Sequence, residues 1–446
     1  GEGEAERVVA LANWVRLRNP RCAEVAFVVA DELQGLGAGT RLLEQLAETA
    51  AAGGIETFVA EVLPSNRAML QVFEDAGFAI SRRLEDGEIE VRLALAPTGA
   101  YQERVDMRDH VAVTASLRPF FQPRTVAVIG ASPKRGSVGG ELFRNILAGE
   151  FAGVAYPINR SGEPVGGVRA YRSLTEIGDP VELAVICVPA EHVLAAAEEA
   201  LRAGTKALCV ISAGFAETGP EGTRRQDALL AAVRAHGARL IGPNCLGIAV
   251  SRCRLNATFG PRPLPPGNVA FSTQSGALGL ALLEATDTRG LGLSAFVSIG
   301  NKADVSSNDL LEYWEDDPDT EVILLYVESF GNPRKFARLA RRVARRKPIL
   351  ALKGGRPRSG ARAAGSHTAA LAGSETAVNA LFRQAGVIRA DTLEELLDVT
   401  SLLSRQPLPR GRRVGLLTNA GGLGILAADA CEAAGLELPL PSQETR

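Results

Sequence analysis

The amino-acid sequence predicts an α/β protein with more than one domain. Apolar runs of strand length recur along the chain and alternate with segments of helical length. Glycine-rich turns stand where several of those runs pass into helices. A chain of 446 residues also exceeds what one hydrophobic core organises and suggests about three domains.

Gly1 to Glu6 is polar and reads as a loop. Arg7–Arg16 alternates as a strand, turned back at Arg18–Arg21 onto an apolar strand that ends at Ala30. Asp31 and Glu32 break that strand, Gln34-Gly-Leu-Gly-Ala-Gly39 follows, and a helix is expected over Thr40–Ala52. Three glycines in five residues let the backbone approach a ligand closely, with free N–H groups at a helix N-terminus, which suits a pyrophosphate. The Gly-x-Gly-x-x-Gly spacing of a dinucleotide fold is absent, and a glycine-rich turn by itself is more often only a turn. A strand at Thr57–Leu63 ends before Pro64, Asn66–Phe78 reads as a helix, and Ile89–Leu95 closes a first domain at residue 96. Residues 97–116 show little periodicity and are expected to be a linker.

A second domain, 117–263, opens with the buried strand and glycine turn Thr125-Val-Ala-Val-Ile-Gly-Ala-Ser132. Strands at Gly153–Asn159, Leu183–Pro189, Ala207–Ala213 and Arg239–Pro243 alternate with helices, giving a doubly wound parallel sheet. Ligands bind such sheets at the carboxyl ends of the strands, so Gly130, Ser132 and Pro189 should share a cleft. A third domain, 264–406, repeats the pattern with strands at Val269–Ser272, Ser294–Ile299, Val322–Glu328 and Pro348–Lys353. From 407 to 446 a further βα unit begins at Arg413; one such unit cannot bury its own face, so the chain is expected to continue.

A net charge of −2 with 46% hydrophobic residues favours neither nucleic acid nor a membrane surface as partner. No apolar run is long enough to span a bilayer and no signal peptide opens the chain. Six scattered cysteines without a Cys-x-x-Cys pair, and four unclustered histidines, argue against disulfides and metal and for a reducing cytoplasm.

Gln34–Gly39 together with Asn66-Arg-Ala-Met-Leu-Gln-Val-Phe-Glu-Asp-Ala-Gly-Phe78 resembles the acetyl-CoA-binding core of the GNAT acetyltransferases. The resemblance implies two central strands that splay around the pantetheine arm, and elements that precede residue 1, so the GNAT fold is incomplete at its start. It implies that backbone amides of Val28, Val29 and Ala30 hold pantetheine, that Gln34, Gly35, Leu36, Gly37, Ala38, Gly39 and Thr40 bind the pyrophosphate, and that Asn66 fixes the arm.

From residue 117 onward the order of motifs resembles the NDP-forming acyl-CoA synthetases, relatives of succinyl-CoA synthetase. Pro243-Asn-Cys-Leu-Gly247, Ser272-Thr-Gln-Ser-Gly276, Tyr326-Val-Glu328 and Gly365-Ser-His-Thr-Ala-Ala-Leu-Ala-Gly-Ser374 carry it. It implies a Rossmann-like CoA-binding domain, a flavodoxin-like ligase domain and the start of a further α/β domain. His367 would be phosphorylated, Glu328 would orient its imidazole, and the helix N-terminus at Ser275 and Gly276 would receive the phosphate. The CoA nucleotide would lie over the loop with Gly130, Ser132, Lys134 and Arg135, and Asn244 and Cys245 near the thiol. The chemistry is coherent: imidazole is nucleophilic at neutral pH, a carboxylate fixes its tautomer, and a helix end favours a dianion. Plainer readings stand beside these: an ordinary loop histidine, a strand-end charge at Glu328, and a small buried side chain at Cys245. ATP or ADP would enter only through a missing ATP-grasp part, since no lysine- and carboxylate-rich nucleotide site is read in these residues.

A GNAT domain fused to a synthetase-like region resembles the bacterial protein lysine acetyltransferases of the Pat type, here with the GNAT domain first. That resemblance implies acetyl transfer from acetyl-CoA to lysines of metabolic enzymes such as acetyl-CoA synthetase, under a CoA-sensing region. Glu24 would serve as the general base in a ternary complex, or else simply pair with an arginine across the sheet; Phe73 stands where many GNAT enzymes carry a tyrosine acid. The alternative is an NDP-forming acyl-CoA ligase with an accessory GNAT domain; a CoA-sensing module without turnover is the third reading. A homo-oligomer is left open.

Overall fold

The computed structural model describes residues 8–85, 87–96, 98–261, 264–354, 375–407 and 409–445. His367 lies outside the described residues. The chain divides into two compact units, Gly1–Ala115 and Ser116–Arg446.

In the first unit, β1 (Ala10–Arg16), β2 (Cys22–Val29), β3 (Thr57–Val62), β4 (Ala79–Glu85) and β5 (Glu88–Ala94) form a sheet in the order β1-β2-β3-β5-β4. Period-2 alternation sends Ala23 and Val25 into the core and Glu24 and Ala26 to the surface. Helices α1 (Ala38–Ala52) and α2 (Arg67–Ala76) cover the buried face, packing Leu43, Ala47, Phe73 and Ala76 against Phe58, Val91 and Leu93. Leu43, Phe58, Phe73, Val91 and Leu93, fully withdrawn from water, each contribute about 1.5–3 kcal/mol of burial. Strand β4 carries little sequence signal because six of its seven residues are exposed.

The expected linker at 97–116 is a helix, α3 (Gly99–Phe121). Its polar composition hides an internal anchor within the first unit. Glu44 of α1, almost fully buried, is held by Arg108 of α3, and Arg41 bridges to Asp109 at 3.2 Å. A carboxylate withdrawn from water needs such a partner, and here it comes from the segment that lacks an apolar stripe.

The second unit begins with a parallel sheet in the order β10-β9-β8-β6-β7. It is built from β6 (Thr125–Ile129), β7 (Val154–Ile158), β8 (Leu183–Ile186), β9 (Ala207–Val210) and β10 (Arg239–Ile241), with α4 (Val138–Ala148), α5 (Ala190–Arg202) and α6 (Pro220–Ala235) between them. β8 and β9 are buried along their whole length, as strands covered on both faces must be.

A second sheet runs β12-β11-β14-β13-β15-β16-β17. Its parallel part comprises β13 (Pro266–Thr273), β14 (Leu293–Ser298), β15 (Val322–Val327), β16 (Ile349–Lys353) and β17 (Ile388–Ala390). The helices α7 (Gly276–Thr288), α8 (Ser307–Asp316), α9 (Pro333–Val343), α10 (Glu375–Ala385) and α11 (Leu393–Arg405) accompany it. Two short antiparallel strands, β11 (Gly247–Val250) and β12 (Leu255–Thr258), also join this sheet, so it reaches back across the expected boundary at 264. Beyond residue 407 the helix α12 (Gly421–Ala433) forms, but the strand expected from Arg413 is reduced to one bridge, Arg413 to Glu437. No helix among the described residues is long and apolar enough to cross a membrane.

Candidate functional site

A cavity of about 1380 Å³ opens in the second unit where the carboxyl ends of β6, β8 and β9 meet the ends of β13 and β15. Doubly wound sheets place ligands at this end of the strands. Gly130, Pro189, Asn244, Cys245, Ser275, Gly276 and Glu328 all line it, although they come from five separate segments. Ser132, Lys134 and Arg135 are not among the lining residues. Ser132 Oγ accepts from Lys134 N at 3.2 Å within its own loop, and Arg135 faces Glu141 at 3.8 Å.

Close backbone approach shapes the first wall. Gly130 has φ +94°, and a Cβ there would sit 2.9 Å from the Cys187 carbonyl; a Cβ at Gly139 would sit 2.3 Å from Gly130 O. The turn from β6 into α4 therefore lies directly on the end of β8, and Gly139, which the sequence reading passed over, is as necessary as Gly130. Cys245 is 4% exposed, donates to Val210 O at 3.3 Å and lies 3.9 Å from Cys209 Sγ. It is a packed thiol in the cavity floor, the plainer of its two readings. Burial also pushes the Cys187 thiol well up.

The opposite wall holds the charges. Ser275 caps α7, accepting from Leu278 N at 3.4 Å, so the helix N-terminus opens on the cavity. Gln274, one residue earlier, grips the turn after β15 on both edges. Its Oε1 accepts from Glu328 N and Ser329 N, both at 2.9 Å, and its Nε2 donates to Ser329 O at 2.8 Å. Lys302 Nζ reaches the same turn, donating to Ser329 O at 2.9 Å and Ser329 Oγ at 2.6 Å. Lys353 stands at the end of β16 and donates to Gly354 O at 2.5 Å. Burial lowers both lysines below their ordinary pKa, and Glu328 works against that shift in each. Burial and the Glu328 carboxylate together raise the Tyr326 phenol. None of Gln274, Lys302, Lys353 or Ser329 was a sequence candidate, and no short motif joins them.

Asn301 links the two walls. It accepts from Asn244 Nδ2 at 3.2 Å and donates to Glu217 Oε2 at 2.5 Å and Gln226 Oε1 at 3.0 Å. Burial opposes ionisation of Glu217, but its bonds from Asn301 and the Gly214 and Phe215 amides hold the carboxyl below its ordinary value.

The first unit shows the splay that its resemblance implies. β2 pairs with β3 through only three residues, Cys22, Ala23 and Glu24, and then runs on unpaired on that side to Val29. Of the amides expected to hold pantetheine, Ala30 N instead donates to Val9 O at 2.8 Å. The alternation of an antiparallel ladder turns Val28 the same way, toward β1, and leaves Val29 facing the gap. Gly35 and Gly37 have φ +74° and +84° with open space around them; Gly37 caps α1, which begins at Ala38, two residues earlier than expected. Gln34 bonds Val29 O and Asp31, and Leu36 is largely exposed. Gly39 packs α1 on Val72 of α2, with Thr40 behind it in the first turn. Asn66 Oδ1 caps α2 by accepting from Met69 N at 3.1 Å. Glu24 is exposed at the point where the strands part, with Val15 and Val59 as cross-strand neighbours; Arg92, in register with Val59, pairs with Glu90 instead. Phe73 is buried edge-to-face against Phe27.

Three families match along the chain: the acetyltransferase (GNAT) family over residues 2–78, the CoA binding domain over 124–251, and the succinyl-CoA ligase like flavodoxin domain over 266–403. The chain is 44% identical over 327 residues, 72% of its length, to the alpha subunit of an ADP-forming acetate–CoA ligase of Pyrococcus furiosus, of which it covers 71%. It is equally 44% identical to the ADP-forming acetate–CoA ligase I of Archaeoglobus fulgidus, of which it covers 46%. A solved dinucleotide-forming acetyl-coenzyme A synthetase of Candidatus Korarchaeum cryptofilum, in complex with phosphate and ADP, superposes with a TM-score of 0.70 at 40% identity, covering 73% of this chain and 70% of that one. The chain belongs to the family of the ADP-forming acetate–CoA ligase alpha subunits, with a GNAT domain at its N-terminal side. These relatives overturn the expectation of a Pat-type protein lysine acetyltransferase, because the similarity covering most of the chain is to CoA ligases. With it falls the class of acyltransferase, and the alternative reading as an NDP-forming ligase replaces it.

Proposed function

We propose that the second unit carries the CoA-binding and acyl-exchange half of an NDP-forming acyl-CoA ligase. The observation that carries this reading is the single cavity into which the Rossmann-type strand ends, the α7 N-terminus and Glu328 all open. A free carboxylate is a poor electrophile and needs activation before a thiol can add to it. In the ligase direction a phosphoryl group on His367 passes to the acid, giving an acyl phosphate and a free imidazole. The CoA thiolate then attacks the acyl carbon, the thioester forms, and inorganic phosphate leaves. Glu328 orients the imidazole, the α7 amides at Ser275 and Gly276 take the phosphoryl charge, and the Gly130–Gly139 turn and Asn244 seat CoA. The nucleotide that recharges the histidine is an adenine nucleotide, as the Korarchaeum relative with ADP and phosphate suggests. A short carboxylic acid of the acetate type is the substrate that the relatives favour. For the first unit, acyl-CoA binding in the gap beside β2 is the part of the GNAT reading that we retain.

The reverse half-reaction tests this without any nucleotide. Full-length protein given acetyl-CoA and labelled inorganic phosphate should acquire acid-labile, base-stable label at His367 and release CoA and acetate. His367→Asn should abolish the label. Failure of the wild type to take up label, with CoA binding intact, would sink the ligase reading.

A further inference from the structure

Two lysines in the cavity have no place in the chemistry derived above. Lys302 and Lys353 are the cationic side chains among its described lining residues, and they flank Glu328. Both are partly buried, and burial of an ammonium is costly unless a counter-charge accompanies it. Among the described lining residues, two ammonium groups around one carboxylate leave this wall with a net positive charge; Glu375, which also acts on Lys353, is paired with Arg389. The other lining carboxylate, Glu217, is already committed to Asn301 and to the amides of Gly214 and Phe215.

The Lys302 ammonium is aimed rather than dangling. Its backbone is held at φ +57°, a conformation that non-glycine residues rarely adopt. Lys302 N donates to Ile299 O at 2.8 Å, while Asn301 N and Ala303 N on either side donate to Pro243 O and Gly242 O. At the tip, Ser329 O and Oγ take two of the three N–H donors, and Ser329 is itself clamped by Gln274. Among the described residues, one donor of Lys302 and two of Lys353 take no hydrogen-bond partner and remain for a ligand in the cavity.

We propose that Lys302 and Lys353 form the binding site for the phosphoryl dianion, as inorganic phosphate or as the phosphate end of an acyl phosphate, on the Glu328 side of the cavity. Two cations suit a dianion better than the monoanionic carboxylate of the acid. The clamp from Gln274 through Ser329 sets Lys302 in register with Glu328, so the group transferred to the histidine would be held beside the carboxylate that orients that histidine. This assignment rests on the ligase reading but can fail separately from it.

The test titrates the full chain with inorganic phosphate, following heat or the phosphorus-31 linewidth, in wild type, Lys302→Met and Lys353→Met. Sodium acetate is titrated in parallel to separate a carboxylate source. Each variant should lose about tenfold or more in phosphate affinity, the scale of one charge-assisted hydrogen bond, with CoA affinity and the melting temperature nearly unchanged. Ser329→Ala leaves both charges in place but frees the Lys302 tip, and should cost about threefold. Phosphate affinity unchanged in both lysine variants, no phosphate binding by the wild type, or a lysine-dependent response to acetate alone would overturn the assignment. Labelling of His367 from acetyl-CoA and phosphate, measured on the same wild-type sample, reads the ligase reaction by itself. Lysine-dependent phosphate binding without labelling would keep this site and remove that reaction.

Discussion

Glu328 is a strand-end carboxylate whose place is set by its backbone: Gln274 accepts from the Glu328 and Ser329 amides, so the side chain projects from a turn held by two hydrogen bonds. Glu328→Gln keeps the size and this anchoring but removes the charge that would orient the imidazole. It should lower phosphate labelling of His367 by about a hundredfold, within the range for a group assisting proton movement, while CoA binding stays within twofold. The lysines beside it give a pH signature. Burial lowers both, so each ammonium is lost, as pH rises, earlier than that of an ordinary lysine near pH 10.4. Phosphate affinity should therefore begin to fall at a lower pH than an ordinary lysine would dictate, and Lys302→Met should flatten that fall; the neighbouring Tyr326 phenol, itself raised, stays neutral below its ordinary pKa. At this scale the sequence displayed the residues that stand on motif-bearing strand ends, Gly130, Asn244, Ser275, Gly276 and Glu328. Gln274, Lys302 and Lys353 were invisible because their common address exists only after three βα units have folded side by side.

Elements whose signal is apolar alternation were legible, and those held by polar contacts were not. β8 and β9 are uninterrupted apolar runs and β6 is one after Thr125, and these strands fall where expected to within a few residues. α3 offered no stripe because Arg108 and Asp109 tie it through charge to α1, and β11 and β12, four residues each, are too short to show a period. Between elements, Gly300 is the contact that lets the β14–α8 turn touch the segment after β10. A Cβ there would sit 2.3 Å from Pro243 O and 2.4 Å from Asn244 O, at φ +50°. Gly300→Ala should cost about 1–3 kcal/mol in urea unfolding and weaken CoA binding with it. α8 and α9 meet through Glu312, 1% exposed and paired with Lys335 at 3.1 Å. Burial raises the Glu312 pKa above its ordinary value. A carboxyl raised in the folded state contributes stability that is full below its unfolded pKa and is lost as pH rises through the folded one. Wild-type stability should thus decline on going from pH 4 toward neutrality by this group's share, and Glu312→Gln should remove that share of the slope, as denaturant melts at several pH values would read.

At the scale of the whole chain, two independently cored units each offer a place for the same kind of cofactor. The first has a gap beside β2, glycines at positive φ before α1 and no strand paired with Val25–Val29 on the β3 side; the second has a glycine turn pressed onto β8 and a large cavity beyond it. Both are built on the same physics, backbone amides exposed where a strand passes into a helix, so both should take the pyrophosphate arm of CoA. Calorimetric titration of the full chain with acetyl-CoA should then give a stoichiometry near two. Gly37→Val puts a β-branched residue at φ +84° in the cap of α1 and should remove one binding event, leaving phosphate labelling of His367 intact. Gly130→Val places a Cβ 2.9 Å from the Cys187 carbonyl and should remove the other together with the labelling. A stoichiometry of one that survives Gly37→Val and disappears with Gly130→Val would mean that the N-terminal unit holds no CoA of its own. In that case the gap beside β2 is only a shape left in the sheet, and the ligase half acts as the chain's sole CoA enzyme.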